Sequence, residues 1–378
     1  MYIFNIKRQQ PFFITLIVAS ALLVYFYVAY IHSHVHGNVI NSGGINGSRQ
    51  TCTLARLKSY VHQHSNFPGE GQWIEASPVY FRPTFCHLSY PRIPKRQLAR
   101  CLIGNNISYI VTLGDSNAAR YFVSINKALA AMATNKRCRV TKIERPLNDG
   151  FLPDLEYFAN GSKANRSWAS AVGIHNRQCR GCSSIKSACS LDHGGKEYEV
   201  VVEQAAMTST LDDSIRVIGD GEAPTAQEFW LKHYLKDSYP DLLLIFLPFS
   251  HDKHSYSLIQ IKAAITYFHN LVRTYVPIGT RVVYFPAFSE FENARKSLLY
   301  INRTYGGLLA AEKLSKMNNI LYEVIHDDIS EPATNINGFV DLFSISLSRQ
   351  RWSTDGIHMK DVWYDVVVSM FWHTICER

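Results

Sequence analysis

The apolar positions of this chain follow two rhythms that alternate. Tyr109 to Leu113 is a β-branched and apolar run closed by Gly114, which reads as a buried strand. Asn117 to Ala133 then takes up alanine-rich helical spacing. Cys138 to Glu144 and Tyr198 to Ala206 read as further strands. Thr225-Ala-Gln-Glu228 is a capping box just after Pro224, opening a helix to about Tyr239. Asp241 to Pro248 carries a continuous apolar run of strand length, as expected of a central parallel strand buried on both faces. Ser257 to Val276 is helical and Arg281 to Pro286 a strand. Ser297 to Asn318 reads as mostly helical despite Gly306-Gly307, Ile320 to Ile325 as a short strand, and Lys360 to Cys376 as a closing amphipathic helix. This alternation predicts an α/β fold over residues 108–378, a three-layer α/β/α sandwich on a central, mainly parallel sheet.

The pattern breaks in four stretches. Pro11 to Ile31 is uncharged and apolar throughout, about the length that spans a bilayer as one helix. Tyr25, Tyr27 and Tyr30 gather at its far end, as interfacial aromatics do. Lys7 and Arg8 precede it, and the next basic residue after it is Arg49. That asymmetry predicts a signal-anchor with residues 1–10 in the cytosol and the remainder lumenal or outside, a single-pass type II membrane protein. The apolar region is long for a cleaved signal peptide, and no clear small-x-small cleavage site follows. Residues 32–51 read as a polar stem. His32, His34 and His36 within it fit a solvated stem better than a metal site. Residues 52–107, interrupted by Pro68, Pro78, Pro83, Pro91 and Pro94, read as an irregular, disulfide-tied lead-in. Residues from about 148 to 195 are rich in Gly, Ser and Asn and read as a Cys-rich insertion loop, of the kind that often shapes a binding site.

Composition narrows the picture. The chain has 378 residues, of which 47% are hydrophobic, enough for one large core. Its net charge of +8 comes without a dense basic run or a nucleic-acid motif, so nucleic acid is set aside as a partner. There is no Gly-rich phosphate loop, dinucleotide fingerprint or metal triad, and no cofactor or metal is expected. All 8 cysteines follow the apolar span: Cys52, Cys86, Cys101, Cys138, Cys179, Cys182, Cys189 and Cys376. An even count on the lumenal side points to disulfides of undetermined connectivity. Cys179 and Cys182 could instead form a redox pair or half a zinc site, but no second Cys-x-x-Cys accompanies them. Glycosylation sequons at Asn46, Asn106, Asn160, Asn165 and Asn302 lie on the same side and agree with passage through the secretory pathway.

The candidate chemistry sits at two distant points. Gly114-Asp115-Ser116 joins the strand at Tyr109 to the helix that follows, which exposes a serine hydroxyl beside the free amides of a helix N-terminus. Ser353-Thr-Asp-Gly-Ile-His358 precedes the final helix, with Asp355 three residues before His358. A serine is a poor nucleophile without a neighbouring base, and an aspartate can orient that base. Ser116 is therefore the candidate nucleophile, His358 its base and Asp355 the orienting acid. Arg120, one helical turn on, would face substrate or pair with an acid.

Together the two motifs resemble those of the SGNH (GDSL-like) hydrolases, and more closely their membrane-anchored PC-esterase branch, from about Ser108 to the C-terminus. The resemblance implies an SGNH/flavodoxin-like sandwich and serine-dependent ester chemistry on glycans. Either an O-acetyl esterase or an O-acetyltransferase would work through an acyl-enzyme on Ser116. The wider superfamily completes its oxyanion hole with a glycine amide and an asparagine side chain. Here the third block, Leu247-Pro-Phe-Ser-His-Asp-Lys-His254, has no asparagine. Oxyanion or substrate contacts are assigned as candidates to Asn117, Gly219, Gly221, Ser250 and His251. A transferase would need a lumenal acyl donor or a partner that supplies one. The layout of anchor, stem and lumenal domain suggests the Golgi lumen, with the cell surface as the alternative. The competing reading is an inactive SGNH-fold ectodomain that binds glycan or protein.

Overall fold

The computed structural model describes residues 52–63, 71–84, 86–88, 93–144, 157–158, 184–207, 227, 229–235, 239–249, 253, 256–291, 304–305, 308–331 and 334–376. The predicted membrane span and stem lie outside these residues. Among the described residues no helix is long and apolar enough to cross a membrane.

The strands in chain order are β1 (Gly71–Ile74), β2 (Tyr80–Pro83), β3 (Tyr109–Gly114), β4 (Arg137–Glu144), β5 (Tyr157–Phe158), β6 (Ser184–His193), β7 (Lys196–Ala206), β8 (Leu242–Phe246), β9 (Arg281–Phe285), β10 (Thr304–Tyr305), β11 (Leu308–Leu309) and β12 (Ile336–Phe339). The α-helices are α1 (Leu54–Gln63), α2 (Lys95–Gly104), α3 (Ser116–Ala130), α4 (Leu258–Tyr275), α5 (Ala310–Ser330), α6 (Leu342–Ser346) and α7 (Asp361–Cys376).

The central sheet runs β12-β9-β8-β3-β7-β6-β4-β5. From β12 to β7 neighbouring strands are parallel, and from β7 outward they are antiparallel. The expectation of an α/β sheet with flanking helices and mainly parallel strands holds. Tyr284 and Phe285 of β9 show why it has two covered faces, because successive side chains in a strand point opposite ways. Phe285 stacks on Phe246, which stacks on Tyr121 of α3, and Phe285 also meets Phe371 of α7 edge-on. Tyr284 instead hydrogen-bonds His269 of α4, and His269 meets Asp328 of α5. Helices α3 and α7 thus cover one face, and α4 and α5 the other.

Local differences from the sequence reading have physical causes. Residues 184–193, expected inside the Cys-rich insertion, form the sheet strand β6. Its buried positions include Ser184, Ser187 and Cys189, small residues that give no apolar signal. The strand expected at Ile320 to Ile325 is part of α5. Leu314, Met317, Leu321, Ile325 and Ile329 are all buried at helical spacing, and this wins over the local apolar run. The last sheet strand is β12, and the helix expected from Ser297 begins at Ala310. In the region expected to be a helix from Thr225, Phe229–Tyr234 is a π-helix. The lead-in is more regular than expected, holding α1, α2 and the β1–β2 hairpin. Three disulfides are described: Cys52–Cys86 within the lead-in, Cys101–Cys376 from α2 to the last residue of α7, and Cys138–Cys189 between β4 and β6. Cys179 and Cys182 lie outside the described residues.

Candidate active site

Strand order reverses around β3, since the chain leaves it towards β7 on one side and returns to β8 on the other. Open α/β sheets form their crevice at such a point, beyond the strand carboxyl ends. Gly114 ends β3 there, and a Cβ on it would run into the carbonyl oxygen of Phe246. Asp115 caps α3 by accepting a hydrogen bond from the Asn117 amide at 2.8 Å. Ser116 is therefore the first residue of the helix, at the sheet edge and half-buried.

The second half of the site is a turn that builds itself. One oxygen of Asp355, Oδ1, accepts the amides of Ile357 at 2.9 Å and His358 at 2.7 Å. Gly356 sits at φ 89, a left-handed conformation that glycine adopts without strain. Its amide donates to Ser353 Oγ at 2.8 Å, and its carbonyl accepts from Phe291 in the loop after β9 at 3.0 Å. The other carboxylate oxygen of Asp355, Oδ2, faces His358 Nδ1 at 2.7 Å. The opposite ring nitrogen, Nε2, lies 2.9 Å from Ser116 Oγ. The structure thus joins Ser116, His358 and Asp355 in one hydrogen-bonded series across the two sequence motifs. With Nδ1–H donated to the carboxylate, Nε2 is free to accept the serine proton.

Partial burial pushes the Asp355 carboxyl upward. The hydrogen bonds from the His358 ring, and from the His358 and Ile357 amides, outweigh it and hold the group below the ordinary carboxylate value. Asp355 is thereby kept anionic beside the imidazole.

A cleft opens next to the series. Asp115 and Asn117 line it from the cap and first turn of α3, Phe288 and Glu290 from the loop after β9, and Leu342 and Ile357 complete the lining. Most of the wall is apolar. Glu290 is buried in an ion pair with Lys253, which is itself fully buried. Lys313 Nζ donates to the carbonyls of Lys253 and Tyr256 at 2.7 and 2.6 Å, fastening the segment after β8 to α5.

Of the further candidates, Asn117 does line the cleft, and its Oδ1 accepts a hydrogen bond from Tyr364 at 3.1 Å. Gly219, Gly221, Ser250 and His251 lie outside the described residues. Arg120, expected to face substrate or an acid, places its guanidinium 6.0 Å from the Tyr364 ring centroid. The sequon residue Asn106 is exposed in the turn after α2 at φ 51, and the other sequons lie outside the described residues. Among the described residues no cluster of three or more His, Cys, Asp or Glu side chains is arranged to hold a metal ion.

Sequence reasoning passed over Tyr364, Glu290 and Lys253. Tyr364 had a faint signal, an aromatic pair with Trp363 shortly after His358. The burial of Lys253 against Glu290 is a tertiary fact with no local signature.

No protein-family model matches the chain, and no curated protein matches it. Among solved structures, one titled "Peptidoglycan O-acetylesterase in action, 5 min" is similar over 73% of this chain and 94% of that chain, at 9% identity and a TM-score of 0.34. A likeness of that size carries no argument, and the functional reading rests on the geometry of the site.

Proposed function

We propose that the chain is a serine-dependent acyl-ester enzyme acting on O-acyl groups of glycans, through an acyl-enzyme on Ser116. The observation that carries the reading is the unbroken series from Ser116 Oγ to His358 Nε2 and from His358 Nδ1 to Asp355 Oδ2, at 2.9 and 2.7 Å. In the proposed reaction Ser116 Oγ attacks the ester carbonyl while His358 takes its proton. His358 then returns that proton to the departing sugar hydroxyl, leaving the acyl group on Ser116. Water resolves the intermediate in an esterase, and a second sugar hydroxyl does so in a transferase.

The setting belongs to the same proposal: a type II membrane protein with its catalytic domain in the Golgi lumen. The apolar run from Pro11 to Ile31, the basic residues ahead of it and the sequons support this setting. The three disulfides agree with an oxidising compartment.

The test uses the segment from about Gly37 onward, secreted from a eukaryotic host. It and its Ser116→Ala variant would be reacted with a fluorophosphonate probe and an aryl acetate. Labelling and acetate release that disappear in the variant establish the nucleophile, and added glycan acceptors then separate hydrolysis from transfer. A folded wild type that neither labels nor turns over refutes the proposal and leaves a binding ectodomain as the reading to pursue.

A further inference from the structure

The tetrahedral intermediate of acyl transfer needs donors aimed at its oxyanion, and the third sequence block offers no asparagine for the task. The Ser116 amide is one donor at the start of α3. The backbone amide of Asn117 is not another, because it is committed to Asp115 Oδ1 at 2.8 Å.

The side chain of Asn117 is a different matter. Tyr364, on α7, receives a hydrogen bond from the Met359 amide at 3.2 Å, and that amide can only donate. The tyrosine's single proton is left to point at Asn117, 3.1 Å away, and only the amide oxygen can accept it. Tyr364 thus fixes which end of the Asn117 amide is which: Oδ1 faces the tyrosine, and Nδ2 is turned away from it. Asn117 also borders the cleft shared with Asp115 and Ile357, the neighbours of Ser116 and His358.

We infer that the Asn117 side-chain Nδ2 is the second oxyanion donor of this site, and that Tyr364 is the positioning residue that aims it. The inference rests on the acyl-transfer reading. When Ser116 Oγ bonds to the carbonyl carbon, the carbonyl π pair moves to oxygen and the serine proton passes to His358. Asn117 and the Ser116 amide then hold that oxygen. Burial pushes the Tyr364 hydroxyl well above the ordinary phenol range, against the pull of the Arg120 charge, so the tyrosine keeps its proton throughout the working pH range. The arrangement places the donor on the residue beside the nucleophile and draws its orientation from the final helix, six residues after the base.

The experiment compares Asn117→Ala, Asn117→Asp, Tyr364→Phe and Ser116→Ala with wild type in aryl acetate hydrolysis. A trifluoromethyl ketone, which adds to the serine as an oxyanion, serves as a transition-state mimic. Asn117→Asp keeps an oxygen for Tyr364 but replaces the donor with a second oxygen. Asn117→Ala and Asn117→Asp are expected to lose about 10²–10³-fold in kcat with little change in KM. Tyr364→Phe is expected to lose about tenfold, the cost of freeing the amide to turn. Across the Asn117 and Tyr364 variants the affinity for the ketone should fall in step with kcat/KM, while melting temperatures, lowered by the buried hydrogen bonds each variant loses, should not follow kcat/KM, a pattern a purely structural role would not produce. If the Asn117 and Tyr364 variants keep wild-type kcat and ketone affinity while Ser116→Ala is dead, the inference is overturned and the acyl-transfer reading stands. If Ser116→Ala retains turnover, both are overturned.

Discussion

Arg349, just before the 3-10 turn at Gln350–Trp352, holds its guanidinium 4.2 Å from the ring centroid of Trp73, on the hairpin strand β1. Trp352 lies on the cation as well, at 4.8 Å, and the two indoles meet edge-on with centroids 4.9 Å apart. Glu75 neutralises the charge through an ion pair and also reaches Arg351 at 2.9 Å. The Trp73 indole N–H donates to the Ile345 carbonyl at 3.0 Å. An early hairpin thus grips the segment that leads into the Asp355–His358 turn.

From this clamp we predict that Trp73→Ala costs about 3 kcal/mol of stability, through lost packing and a lost hydrogen bond. Arg349→Lys should not preserve the clamp, because an ammonium cannot lie flat between two indoles. Urea unfolding midpoints and kcat/KM would be measured together. Both should fall in Trp73→Ala and Arg349→Lys, and an unchanged midpoint in Trp73→Ala would show that the hairpin braces nothing.

The acid beside His358 yields a prediction about pH. The Asp355 carboxyl lies below its ordinary value of 3.8 despite partial burial. A depressed carboxyl contributes fully above its ordinary value and loses its effect only as pH falls through its lower native one. Asp355 should therefore stay ionised across the whole range in which activity can be assayed. Asp355→Asn should lower kcat/KM by about 10³–10⁴-fold. The carboxylate band of Asp355 in an infrared difference spectrum against Asp355→Asn should persist from about pH 8 down to about pH 5. A band that gives way to a protonated carboxyl signal within that range would mean that Asp355 takes up its proton there, contrary to the prediction.

What the sequence made legible follows from how local each signal is. The elbow at Ser116 needs a strand, a glycine and a helix start in immediate succession, so its position could be read directly. Asp355 and His358 share one turn closed by its own backbone, and their spacing was enough. Strand β6 stayed hidden because it buries Ser184, Ser187 and Cys189, residues equally at home in a loop. Helix α5 was misplaced because the reading ran it across Gly306-Gly307, whereas it begins at Ala310, and because the run from Ile320 to Ile325 suggested a strand that burial at helical spacing overrides. The contact of Tyr364 with Asn117 joins residues 247 apart in the chain, and nothing in either neighbourhood announces it.

The buried pair of Lys253 and Glu290 gives a sharper energetic test. Glu290 borders the cleft, and Lys253 belongs to the block that carries the candidates Ser250 and His251. Removing one partner takes away the ion pair that offsets the burial of the other charge, so Lys253→Met or Glu290→Leu should each cost about 3–5 kcal/mol. The double variant Lys253→Met with Glu290→Leu should recover much of that loss, because two apolar side chains need no partner. Chemical denaturation of the two single variants and the double variant gives the coupling energy. Additive losses would mean that the two charges do not depend on each other.

Stability at mildly acidic pH should be governed in part by a residue on the far face of the sheet. His269 of α4 lies between Tyr284, at 3.0 Å from Nδ1, and Asp328, at 2.5 Å from Nε2. Burial lowers its pKa below the ordinary 6.5, and the pull of Asp328 in the other direction does not make up the difference. A histidine whose native pKa is depressed takes up its proton more readily in the unfolded chain. Its neutral form is therefore favourable above 6.5, and stability drains away as pH falls from there towards the native pKa. Replacing it with a non-titrating group of similar reach, His269→Gln, should flatten that slope while lowering stability at neutral pH, since glutamine cannot satisfy Tyr284 and Asp328 as well. Melting temperatures of wild type and variant across about pH 5 to about pH 8 test this. Parallel curves would show that His269 is not the group being titrated, and a wild type that gains stability on acidification would reverse the sign of the argument, making the His269–Asp328 contact a charged pair.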